Sequence, residues 1–291
     1  MRHKWPVLAA VLPFMFGWVL IAVYPAGATP AVAGATGVFN ASGAFGAPGS
    51  FGASGAFGVG DGPRTARGRT QAEQTAVTST NWAGYADTGS SGDFTNVTSS
   101  WVQPAGHCSS GDQYAAFWVG LDGYSSRTVE QIGSQADCVG QTVRYTAWYE
   151  IYPSPEVTFT NPVQAGDQLS ASVSYQGSDK FLLTITDSTQ HWKRSVTRKL
   201  AGAARSSAKV IAEAPCCTYK GGILPLTNFG TASFSAATVN NANLCTPAAV
   251  EITMPDTSVS SPSNCQDFTV SYTGSRGNSS ARPSRVKGGG F

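Results

Sequence analysis

Gln168-Leu169-Ser170-Ala171-Ser172-Val173-Ser174-Tyr175-Gln176-Gly177-Ser178-Asp179-Lys180-Phe181-Leu182-Leu183-Thr184-Ile185-Thr186 is the stretch that decides the fold. Apolar and polar residues alternate from Gln168 to Tyr175, and β-branched residues enrich Phe181 to Thr186. Gly177-Ser178-Asp179 between them has turn chemistry. Similar short runs lie on either side: Val97 to Val102, Tyr114 to Leu121, Thr142 to Tyr152, Trp192 to Thr197, Thr231 to Ala236 and Phe268 to Tyr272. Ala105-Gly106, Asp122-Gly123 and Ala165-Gly166-Asp167 punctuate them. Many short strands at this spacing predict an all-β chain, a sandwich or barrel. The only helical expectation is a short turn near Ala201 to Ala208.

Composition agrees. Of 291 residues only 12% are charged and 33 are Gly, a balance that disfavours helix bundles built on Lys, Glu and Leu. The net charge of +2 hides an asymmetry. Residues 75–273 hold 10 Lys and Arg against 15 Asp and Glu, or about −5. An acidic core with basic ends excludes a nucleic-acid partner, which would need its basic patch on the fold.

Arg2, His3 and Lys4 precede a charge-free run from Trp5 to Ala26, and Ala26-Gly27-Ala28 offers a cleavage site. Residues 1–28 therefore read as a signal peptide, with an uncleaved anchor as the alternative. The expected protein is secreted, monomeric and, after cleavage, free of the membrane. Residues 29–74 are low complexity, repeating Ser-Gly-Ala-Phe-Gly at Ser42 and Ser54, and read as a propeptide or linker. Residues 75–274 form the folded domain, and 275–291 a Gly/Ser/Arg-rich disordered tail. Export makes disulfides of the six cysteines. Cys108–Cys138 and Cys245–Cys265 each close a local loop. The pairing of Cys216 and Cys217 stays open. No two-residue-spaced Cys pair exists, so neither metal nor other cofactor is expected.

Several chemistries are excluded by their missing motifs. There is no Gly-x-Ser-x-Gly elbow, no His-Glu-x-x-His helix and no phosphate-binding Gly-rich loop with Lys. Asp87-Thr88-Gly89-Ser90 matches the pepsin-type tetrapeptide, but that chemistry needs two carboxylates sharing a proton. Asp256-Thr257-Ser258 lacks the glycine of a second copy, so the first reads as a β-turn.

What remains is an ordered series of aromatic, glycine and acid phrases. Asn81-Trp82-Ala83-Gly84-Tyr85 comes first, then Phe117-Trp118-Val119-Gly120-Leu121-Asp122-Gly123 and Val129-Glu130-Gln131-Ile132-Gly133. Ala147-Trp148-Tyr149-Glu150-Ile151-Tyr152-Pro153 follows, then Ala208 to Pro215 with Glu213, and Asn228-Phe229-Gly230-Thr231-Ala232-Ser233-Phe234. This series resembles the glutamic peptidases, or eqolisins, over nearly the whole 75–237 span.

The resemblance implies a concanavalin-like antiparallel β-sandwich of two large sheets. It also implies a secreted peptidase that is made with a propeptide and acts on protein or peptide substrates in acid. It makes Gln131 and Glu213 the catalytic pair, and places Asp122 and Glu150 near the site. Trp82, Trp118 and Trp148 become candidates to line the substrate cleft, with core packing as their alternative. The chain departs from the fungal pattern at Thr146, Lys209, Val210 and Ala214. Fungal members favour an acid and a Trp where Lys209 and Val210 stand. Amide hydrolysis needs an activated water, an oxyanion stabiliser and a proton for the leaving amine. A carboxyl tuned by its surroundings supplies the base and acid, and a neutral amide supplies the oxyanion donor. The competing expectation is a lectin-like sandwich that binds sugars without turnover.

Overall fold

In the computed structural model, residues 76–215, 223–245 and 249–274 are described. The expected leader (1–28), propeptide or linker (29–74) and tail (275–291), with Cys216 and Cys217, lie outside the described residues. Sixteen strands follow in chain order: β1 Ala76–Thr78, β2 Trp82–Thr88, β3 Asn96–Val102, β4 Ala116–Asp122, β5 Val129–Val139, β6 Thr142–Tyr152, β7 Val157–Thr158, β8 Gln168–Tyr175, β9 Lys180–Asp187, β10 Trp192–Lys199, β11 Ser207–Glu213, β12 Thr231–Val239, β13 Ala242–Asn243, β14 Val250–Thr253, β15 Thr257–Val259 and β16 Phe268–Tyr272.

They build two sheets of eight. The first runs β1-β14-β2-β11-β4-β5-β6-β7, the second β10-β9-β8-β3-β12-β16-β15 with β13 beside β12. Among the named strands every pairing is antiparallel except that of β1 with β14. The antiparallel sandwich expected from the sequence is the observed fold. The segment after Asn240 completes both layers, β14 joining the first sheet and β15 and β16 the second.

The second sheet follows a simple rule. Leu169, Ala171 and Val173 on β8, and Phe181, Leu183 and Ile185 on β9, point into the sandwich while their neighbours are less buried. Facing them are Tyr85, Phe117, Val119, Leu121, Ile132 and Val210 of the first sheet, all fully buried. Aromatic rings lock this interior. Tyr85 meets Phe268 edge-on at 4.8 Å, Phe268 stacks on Phe234 at 5.0 Å, and Phe117 meets Phe229 at 5.3 Å. Each such side chain contributes about 1.5–3 kcal/mol by leaving water.

Cys108 and Cys138 form the expected disulfide, closing a separation of 30 residues. Restricting the unfolded chain over that loop is worth about 3–4 kcal/mol. The bridge joins the segment before β4 to the end of β5, beside the paired backbones of Gln113 and Cys138.

Three expectations are corrected. Residues 201–206 form a turn and extended chain, and β11 already begins at Ser207, so no helical turn exists there. The apolar run Val210-Ile211-Ala212 pairs between β2 and β4 instead, where two ladders outweigh one helical turn. Cys245 and Cys265 are free thiols. They lie side by side within hydrogen-bonding contact, both in turns, without a covalent bond. Asp87 is a buried strand residue of β2, opposite Ala208, and only Gly89 and Ser90 enter the turn.

Candidate active site

The first sheet is buried on both faces along β2, β4 and β11, apart from Thr88 at the end of β2. Strand alternation sends one set of side chains into the sandwich and the other to the opposite face. Trp82, Ala86, Ala116, Trp118, Val129, Trp148, Ile211 and Ile252 form a second apolar cluster on that opposite face, separate from the sandwich core. The polar candidates share the parity of this cluster.

Cross-strand register sets their order. Glu213 stands between Trp82 on β2 and Ala116 on β4. Lys209, on the same strand, stands between Ala86 and Gly120. Gly120 in turn neighbours Gln131, and Gln131 neighbours Glu150 on β6. Gly133 stands between Trp118 and Trp148. Gln131 and Glu213 thus belong to one face, on strands separated only by β4.

Glu213 is held at both oxygens. Asn81 Nδ2 donates to Oε1 at 2.9 Å and Trp118 Nε1 donates to Oε2 at 2.8 Å. The Trp82 indole lies close by and favours the same charge, but its Nε1 misses hydrogen-bond geometry. Burial pushes the Glu213 carboxyl up to about 7, opposed by these indole and amide donors and by the Lys209 charge. Glu213 keeps 7% and Gln131 keeps 3% of its surface open.

Gln131 Nε2 donates to Glu150 Oε2 at 2.5 Å, while Gln131 Oε1 and Glu150 Oε1 have no protein partner. Burial raises the Glu150 carboxyl to about 8, and the Glu213 charge adds to that rise. Glu150 therefore links the two halves of the site, bonded to one and electrostatically coupled to the other.

Asp122 plays a fastening part. It is fully buried, at φ 64, and accepts from Arg205 N (2.7 Å), Ser206 N (2.9 Å) and Ser206 Oγ (3.3 Å). These bonds pin the end of β4 to the chain entering β11. Trp118 is fully buried and meets Trp82 edge-on at 5.4 Å. Trp148 is buried in the same cluster, with its Nε1 unpartnered.

Sequence reasoning missed two residues beside the candidate pair, Asn81 and Lys209, and one buried acid, Glu130, whose strand position belongs to the sandwich face of β5. Asn81 orients Glu213, yet only its place beside Trp82 hinted at it. Glu130 is fully buried, with both carboxyl oxygens lacking a protein partner and its carboxyl raised by burial to about 8. Lys209 is fully buried, and its Nζ also lacks a hydrogen-bond partner. A Lys between Ala208 and Val210 was the visible signal for it.

A sandwich with an outer sheet face that gathers carboxyls of raised pKa around an unpaired amide oxygen has the equipment of a carboxyl-dependent hydrolase. The model of the Peptidase A4 family matches residues 80–275. The chain belongs to this family and is a glutamic-type endopeptidase. Among solved structures it is similar to scytalido-glutamic peptidase bound to a peptide-based transition-state analogue. The identity is 23% and the TM-score 0.55, over 66% of this chain and 98% of that one. A second structure of that peptidase, with a transition-state analogue inhibitor, gives 22% and 0.55 over the same shares. SCP-B, an eqolisin in complex with the tripeptide Ala-Ile-His, gives 21% and 0.52, again over 66% and 98%. No curated protein sequence matches significantly.

Proposed function

We propose that the protein is an exported endopeptidase in which Glu213 and Gln131 together hydrolyse the peptide bonds of protein substrates. The observation that carries this reading is the treatment of Glu213. It is a buried carboxyl with two neutral N–H donors and an ionisation raised to about 7, and it stays partly open to solvent. Such a group ionises close to neutrality, where a base can also return its proton.

In the first step the Glu213 carboxylate takes a proton from a water as its oxygen bonds to the scissile carbonyl carbon. The carbonyl π electrons move to oxygen, and the second N–H of Gln131 Nε2 stabilises that oxyanion. Gln131 Oε1, free of protein partners, orients the water. In the second step the oxyanion collapses, the C–N bond breaks and the Glu213 carboxyl gives its proton to the leaving amine. Glu150 fixes the Gln131 amide, and Trp82 and Trp148, buried in the apolar cluster beneath the site, back the pair as packing.

The resemblance implies work in acid, whereas an ionisation at about 7 withdraws the base as pH falls. Loss of the Glu213 base form therefore bounds activity on the acid side, and a kcat/KM profile against pH locates that limb. The Cys108–Cys138 bridge supports export to an oxidising compartment.

The test is Glu213→Gln in the full chain, assayed on a denatured protein substrate. A fall in kcat of about a thousandfold or more, with near-UV circular dichroism unchanged, is expected. Undiminished turnover would remove Glu213 from the mechanism.

A further inference from the structure

Lys209 is the only Lys or Arg that is buried among the described residues. Its Nζ lies 5.2 Å from the centre of the Trp82 ring and 5.8 Å from that of Trp118. Both rings are within cation–π reach. The residues opposite it, Ala86 and Gly120, are small, and a Cβ on Gly123 would come within 3.2 Å of Nζ. The sheet has been kept open at this point for one long side chain.

The geometry points to Lys209 as a positioning residue: its ammonium, seated on the Trp82 and Trp118 rings, holds the indole pair against Glu213 and supplies the cation that balances the carboxyls of the site. This inference rests on the proposed role of Glu213 and deepens it. The Trp118 indole contacts Lys209 with its face and Glu213 with its N–H, so one ring is gripped by cation and anion together.

The charged neighbours come from β4, β5, β6 and β11. Lys209 feels Asp122 from β4, Glu130 from β5 and Glu213 from its own strand. Glu150 on β6 acts on Glu213. From β2 the face receives Trp82 and Ala86, which carry no charge, with Asn81 just before them. The phenols of Tyr124 and Tyr152 pack against the same apolar cluster. Burial pulls the Lys209 ammonium down to about 7 against the three acids, so it is charged throughout the acid range. There it favours ionised Glu213, and its removal must move the loss of base to higher pH.

The experiment compares kcat/KM against pH for the full chain and for Lys209→Met, which keeps the length of the side chain. The acid limb should move up by about half a pH unit to one unit. Lys193→Met, on the exposed edge strand β10, should leave it in place. A folded Lys209→Met whose acid limb coincides with that of the parent overturns the proposal. A second measurement needs neither turnover nor a folded Lys209 variant. The ¹³Cε resonance of Lys209 is titrated in the parent and in Glu213→Gln, and its midpoint should fall when the carboxylate is removed. An unchanged midpoint also overturns the proposal. Retained turnover in Glu213→Gln is a separate outcome that sinks the base assignment and leaves the Lys209–Glu213 coupling to be judged by the resonance.

Discussion

Gln131 is the residue on which geometry says most beyond its identity. One amide hydrogen is committed to Glu150, while the carbonyl oxygen has no protein partner, so the proposed mechanism draws on that oxygen and the second hydrogen. Gln131→Ala should therefore lower kcat about 10²- to 10³-fold, the usual cost of losing an oxyanion donor, with a smaller change in KM. Single-turnover rates on a defined peptide would show it, and a loss confined to KM would reassign Gln131 to binding. Glu213 and Gln131 stood out as candidates because they sit at fixed places in an ordered set of phrases, and the register puts them on one face. Asn81 and Glu130 did not. Their parts depend on which strands lie side by side, and β2, β11, β4 and β5 are adjacent only after folding.

At the scale of the strand, β4, β5 and β11 behave as one unit. Gly133 shows how tightly they are set: a Cβ there would overlap the Phe117 carbonyl oxygen and stand 2.6 Å from Trp118 Cβ. Since backbone cannot swing aside, Gly133→Ala should push β5 from β4 and lift Trp118 off Glu213. A cost of about 1–3 kcal/mol is expected, or about 5 °C in Tm for a domain of this size. Loss of activity should exceed what the loss of stability explains. Calorimetry beside kcat/KM checks this, and an unchanged Tm would mean the sheet opens more easily than its spacing suggests. Strand scale also shows why part of the fold was hidden. Strands β8 and β9 are half-buried and alternate, so the pattern announced them. Strands β2 and β11 are buried on both faces, carry almost no alternation and were visible only through their phrases.

For the whole molecule, acids that are buried or half-buried set the response to pH. Glu130 and Glu150 are raised to about 8, and Asp87, Asp137, Glu156 and Glu213 to about 7, with burial the leading cause in each. A raised folded-state pKa means that the native chain holds protons the unfolded chain releases near pH 4. That contribution is fully present below about pH 4 and is lost as pH rises to about 8. Lys209 is lowered to about 7 and works in the opposite sense. Its dependence falls between about 7 and 10.5, above most of the window of the acids. The Tm should therefore fall from pH 4 to pH 8, and a scan showing it flat or rising would contradict the burial of these groups. The layering has a practical side too. Lys180, Lys193 and Lys199, the exposed lysines among the described residues, all belong to β9 and β10 at one edge of the second sheet. Among the described residues, then, an amine-reactive bead would grip that edge, away from the outer face of the first sheet where the proposed site lies.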